Sequence, residues 1–200
     1  MTQNYTQQIL SLAQEKGLLR AKDLQALNIP YTYLGRMVKQ GLLQWVGRGL
    51  YRLPHTSVSQ HHSLVEASAR VPHGVICLLS ALNFHHLTTQ LPFEIWIAIE
   101  NKAWTTKEKQ IPLRFVRFSG DAFTAGVEEH VIEGLPVKVY DAAKTVADCF
   151  KYRHKIGLDV ALEALRDGWQ QRQFTVDQLW HYAGICRVQN VLRPYLEAML

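Results

Sequence analysis

Between Asp23 and Glu66 the sequence has no acidic side chain. In that gap stand Thr32, Tyr33, Arg36, Lys39, Gln40 and Arg48, with Lys22 just before it. These are groups that hold a nucleic acid. An arginine fork matches the two acceptors on a guanine edge, a lysine ammonium neutralises a phosphate, and hydroxyl and amide groups serve either target. At about 100° per residue, Thr32, Arg36 and Lys39 fall on one side of a helix, flanked by Tyr33 and Gln40. Leu34, Met37 and Val38 fall on the other. A helix sorted in this way, apolar behind and basic in front, suits the major groove. Arg36 is then a candidate for a guanine edge, Lys39 for a phosphate, and Thr32 and Tyr33 for either.

The surrounding stretch, RAKDLQALNIPYTYLGRMVKQGLLQWVGRGLYRLP, supplies the elements that would position these side chains. Residues 20–27 read as a short helix with Leu24 and Leu27 on one face. Asn28-Ile29-Pro30 breaks it, since proline opens a helix but does not continue one. Residues 31–40 read as the second helix, and Gly41 closes it. Leu42–Val46 suits a strand, Gly47-Arg48-Gly49 a tight turn, and Leu50–Leu53 the return strand. The pattern is a helix-turn-helix followed by a wing, with Arg48 at the wing tip facing a backbone or minor groove. Residues 4–16 read as a preceding helix with Tyr5, Ile9, Leu12 and Ala13 inward and Gly17 as its stop.

Charge follows the same division. Residues 1–55 hold seven Lys/Arg against two Asp/Glu, and residues 56–200 hold fifteen of each, so the whole formal charge of +5 lies in the first quarter of the chain. A basic module supplies salt-dependent attraction to phosphates, whereas a neutral remainder does not. The three cysteines, Cys77, Cys149 and Cys186, have neither metal-ligand spacing nor an even count, and suit a reducing cytoplasm. The polar start has no signal-peptide pattern, and apolar runs such as Val75–Leu79 are far too short to cross a bilayer.

Residues 55–60 lack periodicity and read as a linker. Helices are expected over 61–70, with Leu64, Val65, Ala67 and Ser68 inward, and over 75–86. Strands are expected over 94–99, 113–118, 127–132 and 135–140, the last two joined by a Glu133-Gly134 turn. Asp141 is placed to cap a helix running to about Arg153. That helix would bury Val146, Cys149 and Phe150 and carry Lys144, Asp148, Lys151 and Lys155 as an outer stripe. A further helix spans 158–167. Thr175 and Gln178 form a capping box for the next, and Pro194 either kinks the last helix or starts it anew. The fold class expected is α+β in two domains. The first is a winged helix-turn-helix over residues 1–55. After a linker at 56–60, residues 61–200 form a mixed α/β domain whose small, mostly antiparallel sheet is flanked by helices.

These stretches resemble one family. The N-terminal segment ending GRGLYRLP, then SALNFHHLTTQLP (Ser80–Pro92), EGLPVKVYDAAKTVADCFKYRHKIGLDVALEALRDG (Glu133–Gly168) and the final RPYLEAML look like the AbiEi-type antitoxins of type IV toxin–antitoxin systems, which act in abortive phage infection. The resemblance covers nearly the whole chain. It implies a protein, not an enzyme, that represses its own operon at inverted repeats in promoter DNA. It also implies that residues 61–200 counter a cognate toxin of the nucleotidyltransferase type, with self-association on DNA. No cofactor, catalytic residue or membrane contact is implied. The four residues Lys144, Asp148, Lys151 and Arg153 lie in the most distinctive stretch. They read either as solvated i, i+4 pairs or as an antitoxin or partner surface.

Other chemistries find less in the sequence. Glu100-Asn101-Lys102 supplies the E-x-K half of a metal-dependent nuclease site, but no aspartate stands one strand upstream, and Glu66 and Glu94 are the only nearby carboxylates. His61-His62 and His85-His86 are adjacent pairs that diverge on a helix, which disfavours zinc. Trp96, Trp104, Trp169 and Trp180 suit a core better than a base-stacking platform. The alternatives to the antitoxin are therefore a DNA-targeted nuclease using Glu100 and Lys102, or a plain repressor whose C-terminal domain senses a ligand.

Overall fold

The computed structural model describes residues 2–47, 49–54, 59–105 and 111–199, with side chains from Tyr5 onward. The chain forms two compact units. One comprises residues up to Pro72 with His130–Val137, the other His73–Glu129 with residues from Lys138 on.

In the first unit, α1 (Thr2–Lys16) leads into β1 (Leu18–Arg20). A 3₁₀ helix (Ala21–Leu27) follows, then α2 (Thr32–Lys39), β2 (Gln44–Gly47), β3 (Leu50–Arg52) and α3 (His62–Arg70). The strands form a three-stranded antiparallel sheet in the order β1-β3-β2, with an irregularity between Trp45 and Gly47. Ile9, Ala13, Leu19, Leu24, Ile29, Leu34, Met37 and Leu43 make one core. The helix expected at 20–27 is wound tighter than an α-helix, and Leu27 is left 39 % exposed while Leu24 is buried. β1 was not foreseen, because three residues show no period.

α3 falls in this unit, not with the residues that follow it, as the sequence suggested. Its Arg70 guanidinium donates to the Val46 carbonyl at 2.9 Å. The tip of a later hairpin, Glu133-Gly134, also belongs here. His62 Nδ1 lies 2.7 Å from Glu133 Oε2, and Ser59 donates to Glu133 Oε1 from its amide (2.9 Å) and its hydroxyl (2.8 Å). Gly134 has φ +75°, and a Cβ on it would collide with the Lys16 carbonyl, so the tip sits against the end of α1 only because it is glycine. Of the linker expected at 56–60, only Ser59 and Gln60 lie among the described residues.

In chain order the second unit brings β4 (Val75–Ile76), α4 (Leu78–Phe84), β5 (Ile95–Glu100), β6 (Leu113–Phe118) and α5 (Asp121–Thr124). The hairpin strands β7 (Val127–Ile132) and β8 (Leu135–Tyr140) come next. The chain ends in α6 (Ala142–Lys151), α7 (Arg153–Ile156), α8 (Leu158–Gln170), α9 (Val176–Cys186) and α10 (Gln189–Glu197). The sheet order is β6-β5-β4-β8-β7. The four expected strands form, and the Glu133-Gly134 turn takes positive φ at both residues, as a two-residue hairpin requires.

Two expectations need correction. The sheet is mixed, not mostly antiparallel: β5 pairs with β6 in parallel, β4 pairs with β8 in parallel, and among the described residues only β4 with β5 is an antiparallel pairing outside the hairpin. A parallel pair requires a connection of a dozen or so residues, which the stretch between Glu100 and Leu113 provides without a helical pattern to announce it. Val75 and Ile76, read as the start of a helix, instead form β4, the central strand. The helix begins only at Leu78.

The helices pack as their sequences dictate. Asp141 accepts from the Lys144 amide at 2.7 Å and caps α6. Thr175 and Gln178 form the capping box of α9. α9 ends at Arg187 in a left-handed conformation and α10 starts afresh at Gln189, so Pro194 lies inside α10. α6 lies at the centre, against α4, α8, α9 and α10. Of the four tryptophans assigned to the core, Trp96 is 4 % exposed but Trp104 is 90 % exposed, just past the end of β5.

Candidate nucleic-acid interface

α2 is anchored by Leu34 and Met37, each 1 % exposed, with Val38 packed beside them. That anchoring turns Thr32, Arg36, Lys39 and Gln40 outward, and all four are exposed. The amides of Tyr33 and Leu34 bond back to Pro30 and Tyr31, so the chain enters the helix through a turn that starts at the proline. Arg36 and Lys39 stand in the last turn, where the helix dipole favours cations.

Tyr33 differs from its neighbours because its ring is half-buried. The Tyr5 ring of α1 meets it edge-on, with centroids 5.4 Å apart and planes at 84°, and the Arg36 guanidinium carbon lies 5.1 Å above it. Stacking uses the face of the guanidinium and leaves its in-plane N–H groups free. Lys22 is exposed on the 3₁₀ helix. Arg48, expected at the wing tip, lies outside the described residues.

Two exposed aromatics were missed. Tyr31 and Trp45 are each 47 % exposed, one just before α2 and the other on β2 opposite Tyr51. Arg52, on β3, is committed internally: its Nε donates to Gln44 Oε1 at 2.9 Å and its Nη1 approaches His62 Nε2 at 3.1 Å. Arginine only donates, so Nε2 accepts and the Nδ1–H of His62 donates to Glu133.

The C-terminal residues singled out from the sequence do not form a surface. Lys144 is 0 % and Asp148 1 % exposed. Lys144 Nζ donates to Asp148 Oδ2 at 2.5 Å and lies 4.2 Å from the Tyr140 ring centre and 4.9 Å from that of Phe118. Asp148 Oδ1 accepts from Cys186 Sγ at 3.1 Å. Every residue from Ala142 to Phe150 is buried, so α6 has no solvated side there. A helical period separates polar from apolar faces but does not say that the polar face meets water, and here it meets Phe118, Tyr140 and Cys186. Burial raises the Asp148 carboxyl, with the Lys144 ammonium opposing, and burial likewise pushes the thiols of Cys77 and Cys149 well up. Lys151 is exposed, and Arg153 is half-buried with Nη1 donating to the Phe150 carbonyl at 2.9 Å.

The remaining sequence candidates are not brought together. Glu100 and Lys102 are exposed at the end of β5, Glu94 pairs with Arg114 at 3.3 Å, and Glu66 lies on α3 beside His62. Among the described residues no cluster of three or more His, Cys, Asp or Glu side chains has the geometry to hold a metal ion. Nor is any described helix long and apolar enough to cross a membrane.

Residues 7–54 match the family described as "Transcriptional regulator, AbiEi antitoxin". The resemblance read from the sequence holds over that segment, which contains α2 and the strands around it. The stretches Ser80–Pro92 and Glu133–Gly168 lie outside the matched residues. No curated protein matches the chain. Among solved structures the chain is similar to the RV2827C protein from Mycobacterium tuberculosis, at 15 % sequence identity and a TM-score of 0.62, covering 90 % of this chain and 71 % of that one. Identity so low speaks to the fold alone.

Proposed function

We propose that the chain is a DNA-binding antitoxin of a type IV toxin–antitoxin system and not an enzyme. The N-terminal helices and strands act as a winged helix-turn-helix that represses the chain's own operon at inverted repeats. α2 enters the major groove with Thr32, Arg36 and Gln40 toward base edges and Tyr33 bracing Arg36. Lys39, Lys22 and Arg48 hold backbone phosphates. The C-terminal unit counters a nucleotidyltransferase-type toxin in the cytoplasm. The observation that carries this reading is the AbiEi match over residues 7–54 on the segment that exposes Thr32, Arg36, Lys39 and Gln40 together.

The test uses the full chain. Binding to its own promoter is compared with binding to a scrambled duplex over a series of salt concentrations. Co-expression with the neighbouring open reading frame measures rescue of growth. A preference for the promoter, steep in salt, and rescue by the intact chain are expected. Equal affinity for both duplexes would end the repressor reading, and absence of rescue would end the antitoxin reading.

A further inference from the structure

The second unit contains a cavity of about 500 Å³ between the end of α8 and the start of α9, walled by Trp169, Arg172, Phe174, Thr175 and Val176. Its size lies within the range of small-molecule sites, and its walls are mostly apolar. Gly168 sets one wall. A Cβ there would collide with the Phe174 ring, so only glycine lets that ring pack this close to α8. Arg172 closes α8 in a left-handed conformation, φ +54°, its amide bonded to the Trp169 carbonyl at 3.1 Å and that of Gln173 to Gly168 at 3.0 Å. Glycine takes that conformation without strain and arginine does not, yet arginine stands there, with its side chain at the cavity.

The polar groups on this wall are of one kind. Thr175 Oγ is occupied with Gln178. The Arg172 guanidinium and the Trp169 indole N–H have no hydrogen-bond or ion-pair partner among the described residues. Both are donors only. Another cavity of this unit, about 280 Å³, differs: its Asp141 already caps α6 and accepts from Tyr182 Oη at 2.6 Å, and its His85 already donates to the Tyr140 carbonyl at 2.7 Å.

We propose that the Trp169–Arg172–Phe174 cavity binds a small aromatic carboxylate, its ring against Trp169 and Phe174 and its carboxylate on Arg172. Donors without acceptors select an anion over an amine. Two aromatic walls select a flat body, and the guanidinium matches a carboxylate in two-point geometry. The site is separate from α2 and stands or falls independently of DNA binding.

Calorimetry and ligand-observed NMR on the full chain, with naphthoate as probe and naphthamide as its uncharged analogue, test the assignment. Naphthoate binds the wild type more tightly than naphthamide. Arg172→Gln, at an exposed position, weakens naphthoate about tenfold, as loss of a solvent-screened guanidinium–carboxylate pair should, and leaves naphthamide unchanged. Trp169→Ala weakens both probes while the melting temperature monitors the fold. No naphthoate binding to the wild type, or an unchanged naphthoate-to-naphthamide ratio in Arg172→Gln, overturns the proposal. So does a Phe-Asp peptide that binds more tightly than naphthoate, which would make the cavity a peptide-docking site.

Discussion

The Arg36 guanidinium rests on the Tyr33 ring one turn earlier on α2, and that ring is itself braced edge-on by Tyr5 of α1. A long exposed arginine loses rotamer freedom when it binds, and a stacked one has lost part of it already. Arg36→Ala should weaken promoter binding by about 1–3 kcal/mol and relax one base position. Tyr33→Ala should cost about 0.5–1 kcal/mol at that same position through loss of the stack, and Tyr33→Phe should restore it. Lys39→Ala should instead weaken all duplexes alike and lower the salt slope by about one unit. Anisotropy titrations against single-base operator variants separate the two patterns. An equal effect of Tyr33→Ala at every base position would refute the stacking role.

The buried Lys144–Asp148 pair makes a different prediction. Removing one partner strands the other charge among Phe118, Tyr140 and Cys186, so Lys144→Met or Asp148→Leu alone should cost about 3–5 kcal/mol. Lys144→Met with Asp148→Leu removes both charges and should recover most of that loss, to within about 1 kcal/mol of wild type or better. Denaturant midpoints of the two single variants and the double variant make the cycle. Additive losses would mean the pair is not coupled.

Glu133 gives a pH dependence. Its partial burial would raise the carboxyl, but the bonds from His62 and Ser59 outweigh that and hold it below its ordinary value of 4.5. A carboxylate lowered on folding contributes stability above the unfolded value, and that stability is lost as pH falls through the lowered folded value. Glu133→Gln should therefore be less stable than wild type near neutrality, with the difference shrinking as pH drops below the ordinary carboxylate range. Unfolding curves of both proteins at several acidic pH values provide the check; a gap that widens with acid would contradict it.

Gly168 offers a steric test. Alanine is the better helix former, yet at this position its methyl would meet the Phe174 ring. Gly168→Ala should destabilise by about 1–3 kcal/mol through overpacking, against the gain of about 1 kcal/mol expected at an open helical site. Thermal melts settle the sign.

The parts of this fold visible in the sequence were those written in local chemistry. The proline entry and apolar side of α2, the Glu133-Gly134 turn, the Asp141 cap and the Thr175–Gln178 box all depend on neighbours within a few residues. What escaped depended on distant partners. β4 is two residues long and shows no period, and its pairing with Trp96-flanking Ile97 and with Val139 is set by the rest of the sheet. Lys144 and Asp148 keep the spacing of a solvated pair, and only the layers packed around α6 decide that they are enclosed. The exposed part of the α2 face was legible because helix and charge pattern agreed. The Tyr5 brace was not, since Tyr5 lies on a different helix.

The return of residues 130–137 to the first unit has a consequence during synthesis. When the ribosome has made α1 through α3, the Glu133 carboxylate that bonds Ser59 and His62 does not yet exist. The second unit also lacks Val139, which pairs with Ile76. The first unit is therefore completed only after residues 73–129 have been made, while the second still awaits α6 to α10.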